Sequence, residues 1–408
     1  MKHYDLIVVG GGIAGVGAAV SAAREGLSVL IIEKFGSLGG AMSNSLVFPF
    51  MRHMTWGDTP KLTSAGIFRE MKMRKEKYKD PSYEAYKLVF DDMASEAGVE
   101  VLFHSTAFAA EAEDRTVRSV KVATKAGVIE LAADYFIDAS GDGELIAMTG
   151  CEFQLGRESD GYCQPMTTCF RVSGVDIEQF EKDRKSLQEK YKEYRKEGKI
   201  TNPRENILVF TGVGDGVLHF NTTRIVKHNP TDPFDISRAE ILARRQITEM
   251  MEFLHESSSA FEKSSIVSIA NHIGVRESRK LKGVHVLTEQ ELRECRDFED
   301  TIALGNYDID IHNPTGEGTY IYKFPDGEYY RIPYRSLLPK EYDNMLVAGR
   351  CLSADHAAHS SVRIMPICAC LGEAAGVAIS VCKKTGKSAH EVDVALVREI
   401  LISKGAAL

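Results

Sequence analysis

The sequence lacks the cysteine patterns that define metal sites and dithiol centres. Its eight cysteines include no C-x-x-C pair, and no spacing of cysteine and histidine matches a zinc site. We therefore expect no bound metal. Because no disulfide framework is apparent, the sequence favours a reduced, cytoplasmic setting.

An excess of positive charge is also missing. The chain of 408 residues has 50 Lys and Arg residues against 58 Asp and Glu residues, a formal net charge of −8. Binding to nucleic acid or to an anionic membrane needs a basic face, so we expect neither partner. The length predicts two or three domains, and no internal repeat or low-complexity tract is present.

No signal or membrane segment is indicated either. The residues from Leu6 to Ala23 form a long and nearly uncharged run. This run has five glycines between Gly10 and Gly17, which favour a turn over a spanning helix, and only Lys2 supplies positive charge before it. We therefore expect this stretch to belong to a folded domain.

What the chain does have is a glycine motif close to its start. The apolar run Leu6 to Val9 predicts a buried parallel strand. After it, Gly10, Gly12 and Gly15 fit the spacing G-x-G-x-x-G, and an alanine-rich helix follows that ends near Gly26. In such a motif the first glycine allows a tight turn, the second lets a pyrophosphate approach, and the third lets the helix pack on the strand. The motif predicts a dinucleotide-binding site.

Two further features extend this site. Ser28 to Ile32 is predicted to be the second strand, and it places Glu33 about twenty residues after the glycines, where a carboxylate accepts hydrogen bonds from ribose hydroxyls. The paired glycines Gly39 and Gly40 then let the backbone run along a bound cofactor, although an ordinary loop is the alternative.

The hydrophobic pattern predicts the remaining elements up to residue 255. Before the middle of the chain, the predicted elements are helices Ala65 to Lys79 and Tyr83 to Ala97, strand Val99 to Phe103, short strands from Phe108 to Leu131, strand Tyr135 to Asp138, and a short helix ending at Thr149. In the middle they are strands Thr167 to Val172, Asn206 to Phe210 and Val217 to Thr223, with helices Ile177 to Gly198 and Ser237 to His255. The glycines from Gly212 to Gly216 predict a hairpin turn, because no helix pattern and no acid follow them.

The C-terminal part returns to short buried strands and small residues. Asn344 to Gly349 predicts a strand that ends in glycine, and a loop with His356 and His359 is expected after it. A helix rich in small residues runs from Ile367 to Cys382, with Pro366 in its first turn. The N-terminus of that helix presents free N–H groups and a partial positive charge.

Several of these stretches resemble one family. The relevant segments are the N-terminal glycines, Leu38 to Gly40, Ile137 to Gly143, Phe220 to Arg224, Ile273 to Arg279, Tyr307 to His312, Leu346 to Arg350 and, most specifically, Ala354 to Pro366. Together they resemble the flavin-binding fold of the glutathione reductase type, and more closely the FAD-dependent oxidoreductase family. The resemblance covers nearly the whole chain.

The resemblance implies an α/β fold with FAD as the cofactor. A three-layer, Rossmann-like FAD-binding domain is expected from residues 1–150 and 334–408, with a mixed α+β substrate domain inserted at 151–333. Gly349 and Arg350 are expected near the FAD pyrophosphate or ribityl chain. The helix after Pro366 is expected to point its N-terminus at the flavin, where positive potential stabilises the reduced form.

The candidate site residues follow from the motifs and the resemblance together. The candidate cofactor-binding residues are Gly10, Gly12, Ile13, Ala14, Gly15, Glu33, Lys34, Leu38, Gly39, Gly40, Ala41, Met42, Ala107, Ala139, Ser140, Gly141, Gly349, Arg350 and Met365. The candidate catalytic residues are His359, Arg363, His356, Arg276 and His312. We expect His359 to act as acid or base and Arg363 to hold a substrate oxygen. An internal salt-bridge network with Glu277 and Arg279 is the alternative for Arg276.

The expected function is hydride transfer between flavin N5 and a small polar organic substrate. The alternatives are a flavin reductase or monooxygenase fed by NAD(P)H, a tRNA-modifying flavoprotein, and a protein that holds FAD without turnover; the oligomeric state is left open. Disulfide reductases have a cysteine pair after the paired glycines, but Ala41 to Phe50 contains no cysteine. We expect Cys368 and Cys370 to be packing residues, without thiol–disulfide catalysis.

Overall fold

The computed structural model describes residues 2–408. The strands are β1 Lys2–Val9, β2 Val29–Ile32, β3 Glu100–Leu102, β4 Thr106–Glu113, β5 Thr116–Thr124, β6 Gly127–Asp138, β7 Phe153–Leu155, β8 Phe170–Ser173, β9 Val209–Phe210, β10 Leu218–Phe220, β11 Ser265–Ile269, β12 Arg279–Leu281, β13 Thr301–Gly305, β14 Ile309–His312, β15 Thr319–Tyr322, β16 Tyr330–Pro333 and β17 Met345–Val347. The helices are α1 Ile13–Arg24, α2 Ala41–Asn44, α3 Ile67–Glu76, α4 Ala85–Ala97, α5 Glu144–Thr149, α6 Ile177–Lys196, α7 Pro233–Ser257, α8 Glu289–Arg293, α9 His356–Val362, α10 Met365–Thr385 and α11 Val394–Ser403.

A seven-stranded sheet combines both ends of the chain. Its order is β3-β2-β1-β6-β5-β4, and β17 also pairs with β6. The strands β3, β2, β1, β6 and β17 are parallel, whereas β4, β5 and the first half of β6 form an antiparallel meander. This is the Rossmann-like α/β fold that the sequence predicts. The run Leu6 to Val9 in the second half of β1 and the whole of β2 consist of Val, Leu and Ile and are buried, as parallel strands covered on both faces require.

Helices α1 and α10 pack closely because glycines form their contact. A Cβ atom added to Gly372 would lie 2.0 Å from the carbonyl oxygen of Ala14, and one added to Gly376 would lie 2.1 Å from that of Ala18. From the other side, a Cβ on Gly17 would lie 2.8 Å from the Ala369 oxygen. The small residues of α10 therefore bring the C-terminal part of the chain directly against the nucleotide-binding helix.

Helix α10 is also the one helix in residues 2–408 that is long and apolar enough to cross a membrane by length and composition. Within the protein, 94% of its apolar window is buried. Its hydrophobicity is explained by its position in the core between α1 and α11, both of which it contacts.

The middle of the chain has a second hydrophobic core. The antiparallel sheet β11-β8-β10-β9 packs with α6 and α7, and the rings of Phe170 and Phe220 stack at 4.8 Å between centroids. The first core takes in residues from both chain ends and also buried side chains between Leu281 and Leu338. The domain boundaries at 151 and 333 stay a prediction.

Most predicted elements are present with shifted ends, but several observed elements were not predicted, among them β11 to β16, α8 and α11. The hairpin turn at Gly212 to Gly216 joins antiparallel β9 and β10, as predicted. The expected loop with two histidines is wrong in part, because residues His356–Val362 form α9. The Asp355 side chain accepts a hydrogen bond from the N–H of Ala358 at 2.7 Å and so caps this helix.

Candidate functional site

A cavity of about 770 Å³ opens where the central parallel strands end. Val9, Ile32 and Ala139, at the carboxyl ends of β1, β2 and β6, line it together with residues from the middle of the chain. Open α/β sheets bind ligands at this edge. The size lies within the range of roughly 300–1,000 Å³ that is usual for small-molecule sites.

The three motif glycines have three different surroundings. Gly10 has φ +100°, and a Cβ there would lie 2.6 Å from the Ala139 oxygen. A Cβ on Gly15 would lie 1.9 Å from the Gly10 oxygen, so this glycine allows the close helix–strand contact. A Cβ on Gly12 would meet no protein atom nearer than Gly40 Cα at 3.8 Å, so the space beside Gly12 belongs to the cavity.

The N-terminus of α1 is open to an anion. No side chain caps it, and its first residues Gly12, Ile13 and Ala14 line the cavity. The first N–H groups of a helix have no partner within the helix, and the helix dipole is positive at this end. This is the arrangement that binds a pyrophosphate.

Glu33 is held in position by backbone donors. Its two carboxylate oxygens accept hydrogen bonds from the N–H groups of Gly11 at 2.7 Å and Phe35 at 2.9 Å. The side chain is buried but lines the cavity. Each oxygen keeps a lone pair for a further donor, such as a ribose hydroxyl.

Arg350 is fixed by a carboxylate from a distant part of the chain. Its guanidinium donates to Asp142 Oδ1 at 2.8 Å and to Ser278 Oγ at 2.9 Å. Burial alone would raise the pKa of Asp142, but Arg350 and Lys34 outweigh it and lower the pKa to about 2. Asp142 is therefore a permanent anion that orients Arg350 at the cavity wall.

All but three of the candidate cofactor residues line the cavity. The exceptions are Gly15, at the helix–strand contact, and the buried side chains of Leu38 and Met42. Several lining residues were not predicted from the sequence, among them Asn44, Ser45, Val47, Thr106, Asp142, Ile364 and Cys368. Asn44 is the last residue of α2, four positions after Gly40, and its closeness to the paired glycines is the sequence signal that could have identified it.

The other end of the cavity is rich in arginine. Arg204, Arg276 and Arg363 line it, with His312, Tyr307 and Asp310. Arg276 Nη1 donates to the Pro165 oxygen at 2.8 Å and to Thr167 Oγ1 at 2.6 Å, and Arg363 Nη2 donates to Gln164 Oε1 at 3.3 Å. Three of the five candidate catalytic residues are thus brought together here, and the salt-bridge alternative for Arg276 is wrong because its partners are neutral.

His312, which lies at the arginine-lined end of the cavity, is neutral. Burial, followed by the nearby charges of Arg276 and Arg363, lowers its pKa well below the usual value. Its Nδ1 lies 3.1 Å from Arg224 Nη2, a group that can only donate, so Nδ1 is the acceptor and the ring proton is on Nε2. His312 Nε2 lies 3.6 Å from Asp310 Oδ2.

His359 and His356 do not reach the cavity, which corrects the expectation that His359 faces the flavin. His359 is fully buried on α9, and its Nε2–H donates to the carbonyl oxygen of Arg350 at 2.8 Å. Burial lowers its pKa well below the usual value, so it is neutral. His356 Nδ1 contacts Glu277 Oε1 at 2.9 Å, and Glu277 also pairs with buried Lys280. Both histidines therefore support the wall of the site from behind.

The cysteines have the character of packing residues. In residues 2–408 all eight are free, and no cluster of metal-ligating side chains is found. Cys368 lines the cavity in the first turn of α10. Burial raises the pKa values of Cys368 and Cys370 to about 12, so both thiols are protonated at neutral pH.

Fold and site together define a dinucleotide-binding α/β protein with a polar pocket beside the nucleotide end. The chain belongs to the FAD dependent oxidoreductase family, whose model matches residues 5–401. FAD is therefore the cofactor, and the cavity fits it: the space beside Gly12 would be filled by a larger residue, Glu33 is oriented by backbone donors, and the buried Asn44 Nδ2 lacks a partner among the described residues.

Individual relatives are more distant. Digeranylgeranylglycerophospholipid reductase 1 of Methanococcoides burtonii is 29% identical over 198 residues, which are 43% of this chain and 46% of that protein. The soluble pyridine nucleotide transhydrogenase of Pseudomonas entomophila is 29% identical over 153 residues, 34% and 31% of the two chains. The chain thus covers less than half the length of these relatives. The solved geranylgeranyl bacteriochlorophyll reductase-like protein from Thermoplasma acidophilum aligns with a TM-score of 0.48 and 13% identity, over 100% of this chain and 84% of that one.

Proposed function

We propose that the protein transfers a hydride between N5 of FAD and a small polar organic substrate. The observation that carries this proposal is the single cavity, which joins the glycine-lined nucleotide end to the arginine-lined end. A substrate bound among Arg276, Arg363 and His312 lies in the same cavity as the cofactor. Such placement is the main contribution that a protein makes to cofactor chemistry.

When bound, FAD supplies the acceptor or donor of a hydride, which is two electrons and one proton. The residues of the chain hold both reactants and handle the accompanying proton. Arg276 and Arg363 bind polar atoms of the substrate. The neutral side chain of His312, with its proton on Nε2, and the hydroxyl of Tyr307, which donates to Asp310 Oδ2 at 2.9 Å, line the same end of the cavity and carry protons there. We assign proton transfer to His312 or Tyr307 in place of His359.

Anaerobic mixing of the purified FAD-loaded protein with a panel of small polar metabolites tests this proposal. At least one of them is expected to bleach the flavin absorbance band. Photoreduced protein provides the companion measurement, since an enzyme that works in the other direction is reoxidised by a member of the panel. Absence of both reactions contradicts the proposal and favours a protein that holds FAD without turnover.

The same experiment separates the remaining alternatives. Rapid bleaching by micromolar NADH or NADPH favours a flavin reductase or monooxygenase. We expect little of it, because the glycines at 212–216 form a hairpin turn instead of a second nucleotide loop. A tRNA-modifying role predicts association with tRNA, which the formal net charge of −8 disfavours.

A further inference from the structure

The arginine-lined end of the cavity has more positive charge than its own carboxylates balance. Arg204, Arg276 and Arg363 have no carboxylate within 4.0 Å among residues 2–408. Their hydrogen-bond partners are neutral: Asn206, Asn221, Gln164, Thr167 and the Pro165 carbonyl. The protein thus positions three guanidinium groups in the cavity wall without supplying their counter-ions.

Two carboxylates and one more arginine complete the local charges. Glu205 pairs with Arg224 at 3.2 Å and is therefore already neutralised. Asp310 accepts the Tyr307 hydroxyl and is the remaining acid at this end of the cavity. Four guanidinium groups thus face two carboxylates, and His312 is neutral. The net charge of the side chains at this end of the cavity is therefore positive.

This surplus is partly withdrawn from water: Arg204 is buried, and Arg276 and Arg363 are half-buried in the cavity wall. Burial, then the charges of Arg363 and Arg204, lower the pKa of Arg276 to about 9, so the neighbours disfavour each other's charge. Buried charges in proteins are normally paired, because an unpaired one is costly. The three arginines therefore lack a counter-ion from the protein, and an anion that enters the cavity would supply one.

The guanidinium donors are also free to receive such an anion. Arg276 uses Nη1 for two short hydrogen bonds, whereas its Nη2 has only a contact of 3.4 Å to Asn221. Arg363 has a buried Nε without a partner among the described residues. The planar fork of an arginine matches a carboxylate with two parallel hydrogen bonds.

We propose that the substrate is a small carboxylic acid, bound as its carboxylate by Arg276 and Arg363, with Arg204 adding to the positive field. This inference rests on the proposed hydride transfer and names its substrate class. A carboxylate next to the reacting carbon gives the arginines a second role, because negative charge that develops towards it during the reaction is stabilised by the same groups.

Binding is measured on the oxidised FAD-loaded protein, without requiring turnover. The probes are acetate, malonate and succinate, each matched with its uncharged amide, and inorganic phosphate and sulfate as other anions. Changes in the flavin absorbance spectrum and in the melting temperature report binding. At least one acid is expected to bind at least about tenfold more tightly than its amide, with an affinity that falls as salt is added.

Two variants locate the site. Arg276→Gln and Arg363→Gln are each expected to weaken binding of that acid by about tenfold or more. The matched control is Arg184→Gln, which removes a half-exposed arginine of α6 outside the cavity and is expected to change nothing. Flavin content and melting temperature of each variant show whether it is folded. If one variant does not fold, the comparison of acid with amide on the wild-type protein still tests whether the site prefers a carboxylate.

The proposal is overturned if acids and amides bind equally, if only phosphate or sulfate binds, or if both cavity variants bind the acid as well as the control does. These outcomes differ from failure of the proposed function. If only uncharged metabolites bleach the flavin, the proposed hydride transfer stands, but the proposal of a carboxylic acid substrate is wrong. The opposite outcome is acid binding that depends on Arg276 and Arg363 while no compound reduces or reoxidises the flavin. In that case the anion site stands, but the proposed redox function is wrong.

Discussion

At the scale of single residues, a substitution of Gly12 is expected to prevent cofactor binding without disturbing the fold. A side chain here meets no protein atom closer than 3.8 Å and has an ordinary φ of −65°, so Gly12→Val is expected to fold normally. The methyl groups of the introduced valine would occupy the space beside the N-terminus of α1. We therefore expect the purified variant to be colourless, and its melting temperature to equal that of the FAD-free wild type. The measurement is flavin content after purification.

Gly15→Ala is the contrasting variant at the same motif. Its Cβ would lie 1.9 Å from the Gly10 oxygen, so the protein itself must shift. We expect loss of stability of the FAD-free form, which Gly12→Val does not show. Full flavin occupancy in Gly12→Val contradicts the assigned position of the pyrophosphate.

Asp142 predicts a pH dependence at the residue scale. Its pKa is lowered from the ordinary 3.8 to about 2 in the folded protein, so its carboxylate adds stability above pH 3.8 that is lost as the pH falls towards 2. In Asp142→Asn this contribution is absent, and Arg350 loses a partner. We expect the stability difference between wild type and variant to shrink over that pH interval, measured by urea unfolding.

The control for this variant is Asp215→Asn, which changes an exposed aspartate in the turn between β9 and β10. It is expected to leave the pH profile of the wild type unchanged. A difference for Asp142→Asn that stays constant from pH 5 to pH 2 contradicts the ion pair with Arg350.

At the scale of elements, the contact between α1 and α10 depends on glycine. Gly372→Ala places a Cβ 2.0 Å from the Ala14 oxygen and pushes the two helices apart. Overpacking of this kind costs about 1–3 kcal/mol, although alanine alone favours a helix by roughly 1 kcal/mol over glycine. We expect a net loss of stability and weaker FAD binding, because the N-terminus of α1 lines the cavity where we expect the pyrophosphate to bind. The measurements are thermal unfolding and FAD titration.

Gly316→Ala is the matched control, since the added Cβ meets nothing within 4 Å and its φ is not left-handed. Gly316→Ala is expected to leave the melting temperature and the affinity for FAD nearly unaltered. If Gly372→Ala is as stable as the control, the close approach of the two helices is wrong.

The elements also show what the sequence could predict. The strand, glycine turn and helix at the start of the chain are local in sequence, and their geometry was predicted correctly. The orientation of His359 was not, because it depends on the Asp355 cap of α9 and on the carbonyl of Arg350. These partners become neighbours only in the folded chain.

Long-range pairing explains the missed site residues in the same way. Asp142 and Arg350 are 208 residues apart, so neither indicates the other in the sequence. Arg204 lies in an irregular segment between α6 and β9, where no periodic pattern assigns it a side of the protein. The arginine group therefore becomes visible only in the three-dimensional structure.

At the scale of the whole molecule, residues from both ends of the chain line the cavity that we assign to FAD. Residues before 150 and after 344 line the same cavity, so FAD is expected to stabilise the fold. A ligand at a hundred times its Kd contributes about 2.7 kcal/mol. FMN lacks the adenosine that Glu33 is positioned to bind, and at equal concentration we expect a smaller rise in melting temperature. An equal rise contradicts the assignment of Glu33.

The most direct test of the whole account is the anaerobic rate of flavin reduction by a carboxylic acid that bleaches the wild type. This rate is compared between wild type and Arg363→Gln at equal FAD occupancy and over a range of acid concentrations. If Arg363 binds the substrate carboxylate, as we propose, the apparent second-order rate constant for flavin reduction is expected to fall by about tenfold or more in the variant. Equal rates in the two proteins, with the acid still bleaching the flavin, would show that the substrate reacts elsewhere.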